Sequence, residues 1–335
     1  MQYLTLGKTA MKVSALGFGG IPIQRVDMPR AKAVLAECAN QGMNFIDTAR
    51  MYGDSEEKIG AFLEGNERSK WYIATKSMAR DTESMAREVR TSLELMNCDY
   101  IDLYQFHNVA SKEDLEKILA PGGAMEALEQ AQAAGLVKHI GITGHKPDIL
   151  EPAVRTGRFD TVQVPFSPLE QQAADLLKLA REFSMGTIAM KPLAGGALTA
   201  ARAAIDWLRV NPLIDVAIPG MESAEQVQEN CSIFTRTVSA QEKEELAELV
   251  SGLGSNFCRR CEYCQPCPRG LKIPAMFLFE GYYTRYNLKE WARERYHTLP
   301  VKASECDECG ICESKCPYDL PIREMLKQTA ATLED

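Results

Sequence analysis

Eight of the eleven cysteines of the chain lie in two short runs near its C-terminus. The second run has the spacing C-x2-C-x2-C-x3-C-P, which suits a cubane 4Fe–4S cluster, because three closely spaced thiolates cover one face of it. The first run also ends in Cys-Pro, but it has only two residues before its fourth cysteine. The runs are Cys258, Cys261, Cys264 and Cys267, then Cys306, Cys309, Cys312 and Cys316.

Two such runs predict two 4Fe–4S clusters that exchange their fourth ligand, because the cysteine before proline ligates the other cluster in two-cluster ferredoxins. The predicted ligand sets are Cys258, Cys261, Cys264 and Cys316 for one cluster, and Cys306, Cys309, Cys312 and Cys267 for the other. Zinc is an alternative, although four-cysteine zinc sites use C-x2-C pairs separated by a loop. Disulfides are disfavoured, because the chain has no recognisable secretory leader.

A second group of reactive residue types follows short apolar runs earlier in the chain. Asp47, Lys76 and His107 each end such a run, and Tyr52 lies five residues beyond Asp47. A buried lysine paired with an aspartate places a positive charge beside the tyrosine, which we expect to lower the pKa of its phenol. A phenol tuned in this way can protonate a carbonyl oxygen while hydride arrives at the carbon.

These side chains meet only if the elements that carry them share one edge. Between about residues 13 and 232, eight apolar runs rich in β-branched residues alternate with amphipathic segments, which predicts a parallel sheet covered by helices. Eight units in this length favour a closed (β/α)8 TIM barrel, in which strand ends converge on one mouth. The predicted strands span 14–20, 44–49, 71–76, 100–106, 139–143, 161–165, 186–192 and 214–220.

The barrel pattern stops before the cysteine runs. Ser239 and Glu242 form a capping-box pattern for a last helix that should end near 252–254, and residues 251–256 are typical of a linker. Residues before the first strand indicate a short hairpin at one end of the barrel. We therefore predict a (β/α)8 domain over 1–252 and a small α-helical and loop ferredoxin-like iron–sulfur domain over 253–335.

Composition limits the function classes. The 335 residues are 45% hydrophobic and 25% charged, with a net charge of −8, which argues against non-specific binding to nucleic acid or anionic membranes. No apolar run approaches the roughly 18 residues of a membrane helix. Without a leader or membrane segment, and with reduced cysteines, we expect a cytoplasmic location.

The segments FIDTARMYG, IATK and LYQFHN resemble the catalytic blocks of the aldo–keto reductases. The resemblance covers about residues 3–250, and the cysteine-rich tail resembles that of the subset with a C-terminal ferredoxin-like domain. It implies Tyr52 as general acid, Lys76 as the residue that tunes it, Asp47 as the partner of Lys76, and His107 as the residue that orients the substrate.

The same resemblance implies NAD(P)H as cofactor. Thr143 and Gly144 occupy the positions of the family Ser-Asn pair that holds the nicotinamide amide, and Gln163 matches the glutamine with that task. Gly144 has no side chain for this contact; His145 either replaces it or only caps the loop. At the adenosine end, the matching positions are Gly220, Gln226, Glu229 and Asn230.

The choice between NADH and NADPH stays open. Gly220 and Gln226 stand where NADPH-using members often have lysine and arginine, and Glu222 lies nearby, so that a 2′-phosphate is poorly neutralised. NADH is therefore a second candidate. The end of a strand that leads into a helix N-terminus suits a phosphate in either cofactor.

The leading hypothesis is an NAD(P)H-dependent reductase of a small-molecule carbonyl, with Tyr52 as general acid. Its clusters have a structural, sensing or electron-transfer role, because they pass single electrons whereas hydride carries two. The alternative is a nucleotide-binding redox-sensing or electron-transfer module that acts through a partner protein. We expect neither nucleic acid nor a membrane as a partner.

Overall fold

The computed structural model describes residues 1–253, 257–259, 261–284 and 289–334. Ten strands lie in the first 218 residues and form a two-stranded and an eight-stranded sheet. The strands are β1 Tyr3–Thr5, β2 Lys12–Ser14, β3 Phe18–Gly19, β4 Phe45–Asp47, β5 Tyr72–Ser77, β6 Ile101–Phe106, β7 Val137–Thr143, β8 Thr161–Pro165, β9 Gly186–Met190 and β10 Val216–Ile218.

The eight strands β3 to β10 are parallel and neighbour one another in chain order. Parallel bridges from Leu16 to Ala217 and from Gly19 to Gly220 join the first strand to the last. The Gly17 amide donates to the Ala217 carbonyl at 2.8 Å along the same seam. The sheet therefore closes into the predicted (β/α)8 barrel, and its strand residues are mostly buried, Lys138 of β7 being an exposed exception.

Helices follow the barrel strands as the alternating pattern predicts. The Ser239–Glu242 capping box is present, since each residue's side chain bonds the other's backbone amide, at 3.2 and 2.8 Å. The barrel-unit helices are α1 Met28–Asn40, α2 Ser55–Leu63, α3 Thr82–Leu95, α4 Lys112–Leu119, α5 Ala124–Ala133, α6 Pro147–Arg155, α7 Ala174–Glu182, α8 Ala201–Arg209, α9 Ala224–Cys231 and α10 Ala240–Leu253.

The β1–β2 hairpin closes the N-terminal end of the barrel. Leu6, Met11 and Val13 of this segment are buried in one apolar cluster with inward residues of the barrel strands. Leu6 packs so closely that a Cβ on Gly186 would lie 2.6 Å from its Cγ, which explains the glycine there. The barrel residues of this cluster are Phe45, Ala74, Leu103, Ile188, Val216 and Ile218.

Three aspartates reinforce the same end of the barrel. Each accepts a backbone N–H of a neighbouring strand at 2.9 to 3.0 Å, and each also contacts a cation. Asp102, for example, accepts from the Ile73 amide of β5. Pairing with a cation offsets the cost of holding such a carboxylate partly buried. The pairs are Asp102 with Arg68, Asp160 with Lys8, and Asp215 with Arg181.

Packing divides the chain into two compact units, one of Met1–Ala194 with Leu198–Val250 and one of Gly195–Ala197 with Ser251–Asp335. The predicted boundary at 253 remains a prediction, and residues 254–256 of the predicted linker lie outside the described part. The second unit is a helical and loop structure around a small apolar core that includes Leu271, Met276 and Tyr296. Its helices are α11 Ile273–Thr284, α12 Lys289–His297, α13 Ile311–Ser314 and α14 Ile322–Leu333.

Across the described ranges of both units, no helix has the length and apolar character needed to cross a membrane.

Candidate active site and cluster-binding region

The four residues singled out at the strand ends converge at the C-terminal mouth of the barrel. Lys76 Nζ donates to Asp47 Oδ1 at 2.7 Å and to the Thr48 carbonyl at 2.6 Å. Lys76 Nζ also lies 4.8 Å from the centroid of the Tyr52 ring. The Tyr52 and His107 rings meet edge to face, with centroids 5.7 Å apart. A phenol, an ammonium, a carboxylate and an imidazole thus surround one small region.

The Lys76–Asp47 pair is almost fully withdrawn from water, with side chains 1% and 4% exposed. Burial lowers the pKa of Lys76, and the charge of Asp47 opposes this shift. Burial also raises the pKa of Asp47, against the charge of Lys76. Each group therefore depends on the other to keep its charge.

The pKa of Tyr52 departs from the sequence-based expectation. Burial of the Tyr52 phenol raises its pKa, and the Asp47 charge raises it further. The expectation of a lowered pKa was wrong, because the Lys76 charge is neutralised by Asp47 at 2.7 Å. The phenol therefore stays protonated at neutral pH and retains the proton that a general acid gives.

His107 follows β6 and is 3% exposed. Burial lowers the pKa of its imidazole well below the ordinary value, and the nearby charges of Lys76, Arg80 and Lys191 lower it further. Arg80 also holds the backbone at this point, since its Nη2 donates to the His107 carbonyl at 2.7 Å. His107 is therefore a neutral imidazole at neutral pH, able both to donate and to accept a hydrogen bond.

A polar layer continues from Asp47 across the barrel interior. Gln105 of β6 donates from Nε2 to Asp47 Oδ2 at 3.3 Å and to Gln163 Oε1 at 3.0 Å. Gln105 and Gln163 are 0% and 1% exposed. Gln163, the predicted nicotinamide-amide residue, thus lies in the same buried network as the Asp47–Lys76 pair.

Thr143 and Gly144 lie at the end of β7, close to the same mouth. Thr143 Oγ1 accepts the Asn108 amide at 3.0 Å, which leaves its own hydroxyl proton able to donate. A Cβ on Gly144 would lie 2.8 Å from the Val109 carbonyl oxygen, so the site excludes the asparagine expected from the family pattern. His145 is buried and its Nδ1 lies 3.1 Å from Asn108 Oδ1, so the mouth contains an imidazole beside this position.

The predicted adenosine-end residues lie where β10 leads into α9. Gly220 bridges to Gly19, the Gln226 side chain accepts the Glu222 amide at 2.8 Å, Glu229 is exposed and Asn230 is buried. Ser223 caps α9 by accepting the Gln226 amide at 3.3 Å. These contacts fit a helix N-terminus open to an anion.

Two arginines from the segment after β3 reach the same place. Arg25 Nη2 lies 3.1 Å from Glu222 Oε2, and Arg30 Nε donates to the Glu222 carbonyl at 3.0 Å. The Glu222 charge, which the sequence suggested would repel a 2′-phosphate, is therefore paired. Sequence reasoning missed both arginines, because nearly 200 residues separate them from Glu222.

In the second unit, the eight cysteines line two cavities, and each cavity has three cysteines from one run and one from the other. Tyr318, Arg259 and Phe277 also line the first cavity, and Asp307 and Leu326 line the second. The first cavity contains Cys258, Cys261, Cys264 and Cys316, and the second contains Cys267, Cys306, Cys309 and Cys312.

These thiols differ in their exposure. Cys264, Cys312 and Cys316 are buried, whereas Cys309 is exposed. Burial raises the pKa of Cys264, and the neighbouring cysteines, Cys258 first, raise it further. Within the described ranges, no group of three His, Cys, Asp or Glu side chains has the arrangement needed to hold a single metal ion. Four thiols around a cavity are the donor set of a cubane cluster.

A closed (β/α)8 barrel with a buried lysine–aspartate pair, a tyrosine and a histidine at its mouth defines the class of this chain. Residues 15–206 match the sequence profile of the Aldo/keto reductase family. Residues 257–321 match the profile of a 4Fe-4S dicluster domain, which favours iron–sulfur over zinc. The chain belongs to the aldo/keto reductase family and carries a C-terminal 4Fe–4S dicluster domain.

Curated relatives are consistent with this family, and a solved structure supports the fold. The chain is 28% identical to L-galactose dehydrogenase of Arabidopsis thaliana over 295 residues, 73% of this chain and 92% of the relative. It is 26% identical to the uncharacterised oxidoreductase YqkF of Bacillus subtilis over 213 residues, 59% and 67% of the two chains. The holo structure of aldo-keto reductase AKR11C1 from Bacillus halodurans superposes with a TM-score of 0.64 at 21% identity, over 74% and 96% of the two chains, which supports the fold.

Proposed function

We propose that this protein reduces the carbonyl group of a small molecule with NADH or NADPH, and that Tyr52 is the general acid. The observation that carries the proposal is the position of the buried Lys76 ammonium, 2.7 Å from Asp47 Oδ1 and 4.8 Å from the Tyr52 ring centroid. When bound, the dihydronicotinamide supplies the hydride for the carbonyl carbon.

In this mechanism Tyr52 gives its phenolic proton to the carbonyl oxygen as the C–H bond forms. The Lys76 charge stabilises the negative charge that develops on the phenol, an effect that strengthens as the proton leaves. Asp47 keeps Lys76 charged at this depth. The neutral His107 donates a hydrogen bond to the same carbonyl oxygen and so orients the substrate.

Thr143 and Gln163 are proposed to hold the nicotinamide amide. Gly144 has no side chain, so the contact that the family asparagine makes at this position is missing. Gly220, Gln226, Glu229 and Asn230 are proposed to surround the adenosine end. Arg25 and Arg30 supply positive charge there, which supports a role in binding the cofactor phosphates.

The test of the reductase proposal is Tyr52→Phe, measured with a panel of aldehydes and ketones and with both cofactors. We expect kcat to fall by a factor of about 10² to 10⁴, the usual contribution of a general acid, while the Kd of the cofactor stays unchanged. Retained turnover in Tyr52→Phe would refute the assigned role. Fluorescence titration of the parent and of Tyr52→Phe with NADH and with NADPH distinguishes a loss of chemistry from a loss of cofactor binding.

We further propose that the dicluster domain holds two 4Fe–4S clusters with the crossed ligand sets Cys258, Cys261, Cys264, Cys316 and Cys306, Cys309, Cys312, Cys267. The two cavities that these sets line support the assignment. Anaerobic reconstitution should yield about eight irons and eight sulfides per chain.

The crossed ligation is tested with single serine variants. Cys316→Ser should perturb the cluster held by the first run, and Cys267→Ser the cluster held by the second, as read from the EPR signals of the reduced clusters. Perturbation of the cluster of the same run would refute the crossing.

The exposed Cys309 favours a second candidate function, electron exchange or redox sensing with a partner protein, because a cluster near the surface is open to another molecule. Unaltered physiological output in Tyr52→Phe would favour this candidate over carbonyl reduction.

A further inference from the structure

A buried carboxylate outside the mouth occupies the outer side of β5. Glu56 of α2 is 1% exposed. Its Oε1 accepts from Thr75 Oγ1 at 2.7 Å and from Ser92 Oγ at 2.8 Å, and its Oε2 pairs with the Arg50 guanidinium. A carboxylate held by three donors at this depth is fully engaged and costly to rearrange.

The contacts of Glu56 lead by two routes to the proposed proton-donating residues, one to Lys76 and one to the loop that carries Tyr52. Thr75 precedes Lys76 on β5, so that successive side chains point to opposite faces of the strand, Thr75 to Glu56 and Lys76 to Asp47. The bond to Thr75 therefore fixes the strand position from which Lys76 projects.

Arg50 makes the second connection. It lies two residues before Tyr52 in the loop after β4, and its backbone amide donates to the Lys76 carbonyl at 2.9 Å. Its guanidinium pairs with Glu56 and donates from Nε to Glu88 Oε2 at 2.8 Å. The loop that carries Tyr52 is thus tied by its backbone to β5 and by its side chain to α2 and α3.

We propose that Glu56 is a positioning residue which, through Thr75 and Arg50, holds Lys76 and Tyr52 in register. This inference rests on the proposed reductase function for its kinetic consequence, but not for its structural one. Glu56 touches neither the mouth nor the four residues there by hydrogen bond, and acts on them through the strand, the loop and its charge.

The charge of Glu56 gives the inference a distinctive signature. Lys76 faces Asp47 from β4, Tyr52 from the following loop and His107 from the end of β6, while Glu56 lies behind it on α2. The charge of Glu56 raises the pKa of Lys76, in the same direction as Asp47 and against burial. Removal of this charge therefore lets Lys76 lose its proton at lower pH.

Glu56 in turn faces Arg50 from the loop, Glu88 from α3 and Tyr104 from β6. Burial raises the pKa of Tyr104, with the charges of Glu56 and Glu88 acting in the same direction, so its phenol stays neutral. Arg50 is consequently the cation that offsets Glu56 directly, and removing it has the opposite electrostatic effect on Lys76.

The experiment compares Glu56→Gln with Asp102→Asn in the intact protein, purified anaerobically. Both changes turn a buried, cation-paired carboxylate into its amide beside β5, since Asp102 accepts the Ile73 amide and pairs with Arg68. Asp102 lies at the end of the strand away from the mouth. It therefore controls for general destabilisation.

The primary measurement needs no substrate. The side-chain ammonium of Lys76, in protein labelled with ¹⁵N-lysine and assigned by its loss in Lys76→Met, is titrated by NMR. We expect its midpoint to move down by about one pH unit in Glu56→Gln, from a Coulomb interaction at intermediate effective dielectric. We expect no shift in Asp102→Asn, and an upward shift in Arg50→Met, where Glu56 loses its cation.

The kinetic measurement uses the substrate with the highest kcat/KM. Glu56→Gln should lower kcat about tenfold and leave KM within about twofold. It should also shift the high-pH limb of the kcat profile to lower pH, together with the NMR midpoint. Glu56→Asp should restore that limb but only part of kcat, because it keeps the charge on a shorter side chain. A KM effect alone would overturn the proposed role.

The two proposals fail in different ways. An unchanged Lys76 midpoint in a folded Glu56→Gln protein would overturn the positioning inference, whatever the activity. If Glu56→Gln does not fold, equal shifts of the same sign in Arg50→Met and Asp102→Asn would overturn it. A shifted Lys76 midpoint in a protein without carbonyl reductase activity would leave the inference intact and refute the reductase.

Discussion

The buried Lys76–Asp47 pair makes a quantitative prediction about stability. In Lys76→Met the Asp47 carboxylate loses the cation with which it pairs, while its side chain is 4% exposed. Breaking one partner of such a buried pair costs about 3–5 kcal/mol of unfolding free energy. Replacing both partners, in Lys76→Met with Asp47→Asn, removes the uncompensated charge and keeps an acceptor for Gln105. We expect this double variant to recover all but about 1 kcal/mol.

The loss should depend on pH with a definite sign. Burial raises the pKa of Asp47 in the folded protein even beside Lys76, and removal of the lysine raises it further. An acid whose folded pKa exceeds its unfolded pKa binds a proton first in the folded state. Its stabilising contribution is therefore lost as pH rises through the folded pKa. Lys76→Met should be more destabilised at pH 8 than at pH 5.

The assay is anaerobic denaturant unfolding in a Trp291→Phe background, so that fluorescence reports only Trp71 and Trp207 of the barrel unit. The parent, the single variants and the double variant form a thermodynamic cycle. A single-variant loss below about 1 kcal/mol, or a double variant no more stable than Lys76→Met, would refute the reasoning about coupled burial.

Three further predictions concern the cofactor, the histidine and the clusters. Glu222→Ala frees Arg25 from its ion pair, so the Kd for NADPH should fall about tenfold relative to that for NADH in fluorescence titrations; an unchanged ratio would place the 2′-phosphate elsewhere. Because burial holds the pKa of His107 well below its ordinary value, kcat/KM should show no acid limb between about pH 6 and 7. A limb near pH 6.5 that vanishes in His107→Gln would contradict this. Since Cys309 is exposed and Cys316 is buried, air should remove iron from the Cys309 cluster first. Iron content plotted against the EPR signal during exposure to air should then show two phases. A single phase would argue for equal exposure of both clusters.

The sequence predicts the bounds of a strand well where clear signals mark both of its ends. The predicted strand 161–165 coincides with β8, which begins directly after Asp160 and ends at Pro165. The first strand is predicted over 14–20 but spans only Phe18–Gly19, because its glycines replace a continuous ladder by single bridges. The (β/α)8 class is confirmed.

The candidate site is predictable in part. Asp47, Lys76 and His107 are each found by their place after an apolar run, because parallel strands bring such positions to one mouth. Contacts between distant segments leave no such local pattern. The Arg25–Glu222 pair joins residues nearly 200 positions apart, and Arg50 meets Glu56 and Glu88 only after α2 and α3 pack.

The direction of the Tyr52 pKa shift is beyond sequence reasoning for a different reason. It depends on the balance between desolvation and a neighbouring charge, and that balance is set by how close Asp47 lies to Lys76. The amino-acid sequence shows which residues are charged but not the distances between them.

The β1–β2 hairpin that closes the N-terminal end of the barrel affects how solvent protons reach Lys76. Leu6, Met11 and Val13 fill that end with hydrocarbon, so we expect solvent protons to reach Lys76 from the opposite opening. A molecule seated in that opening would isolate the ammonium from bulk water. Lysine N–H exchange with deuterium should therefore slow sharply when NADH binds, which makes Lys76 an internal reporter of whether the barrel is occupied.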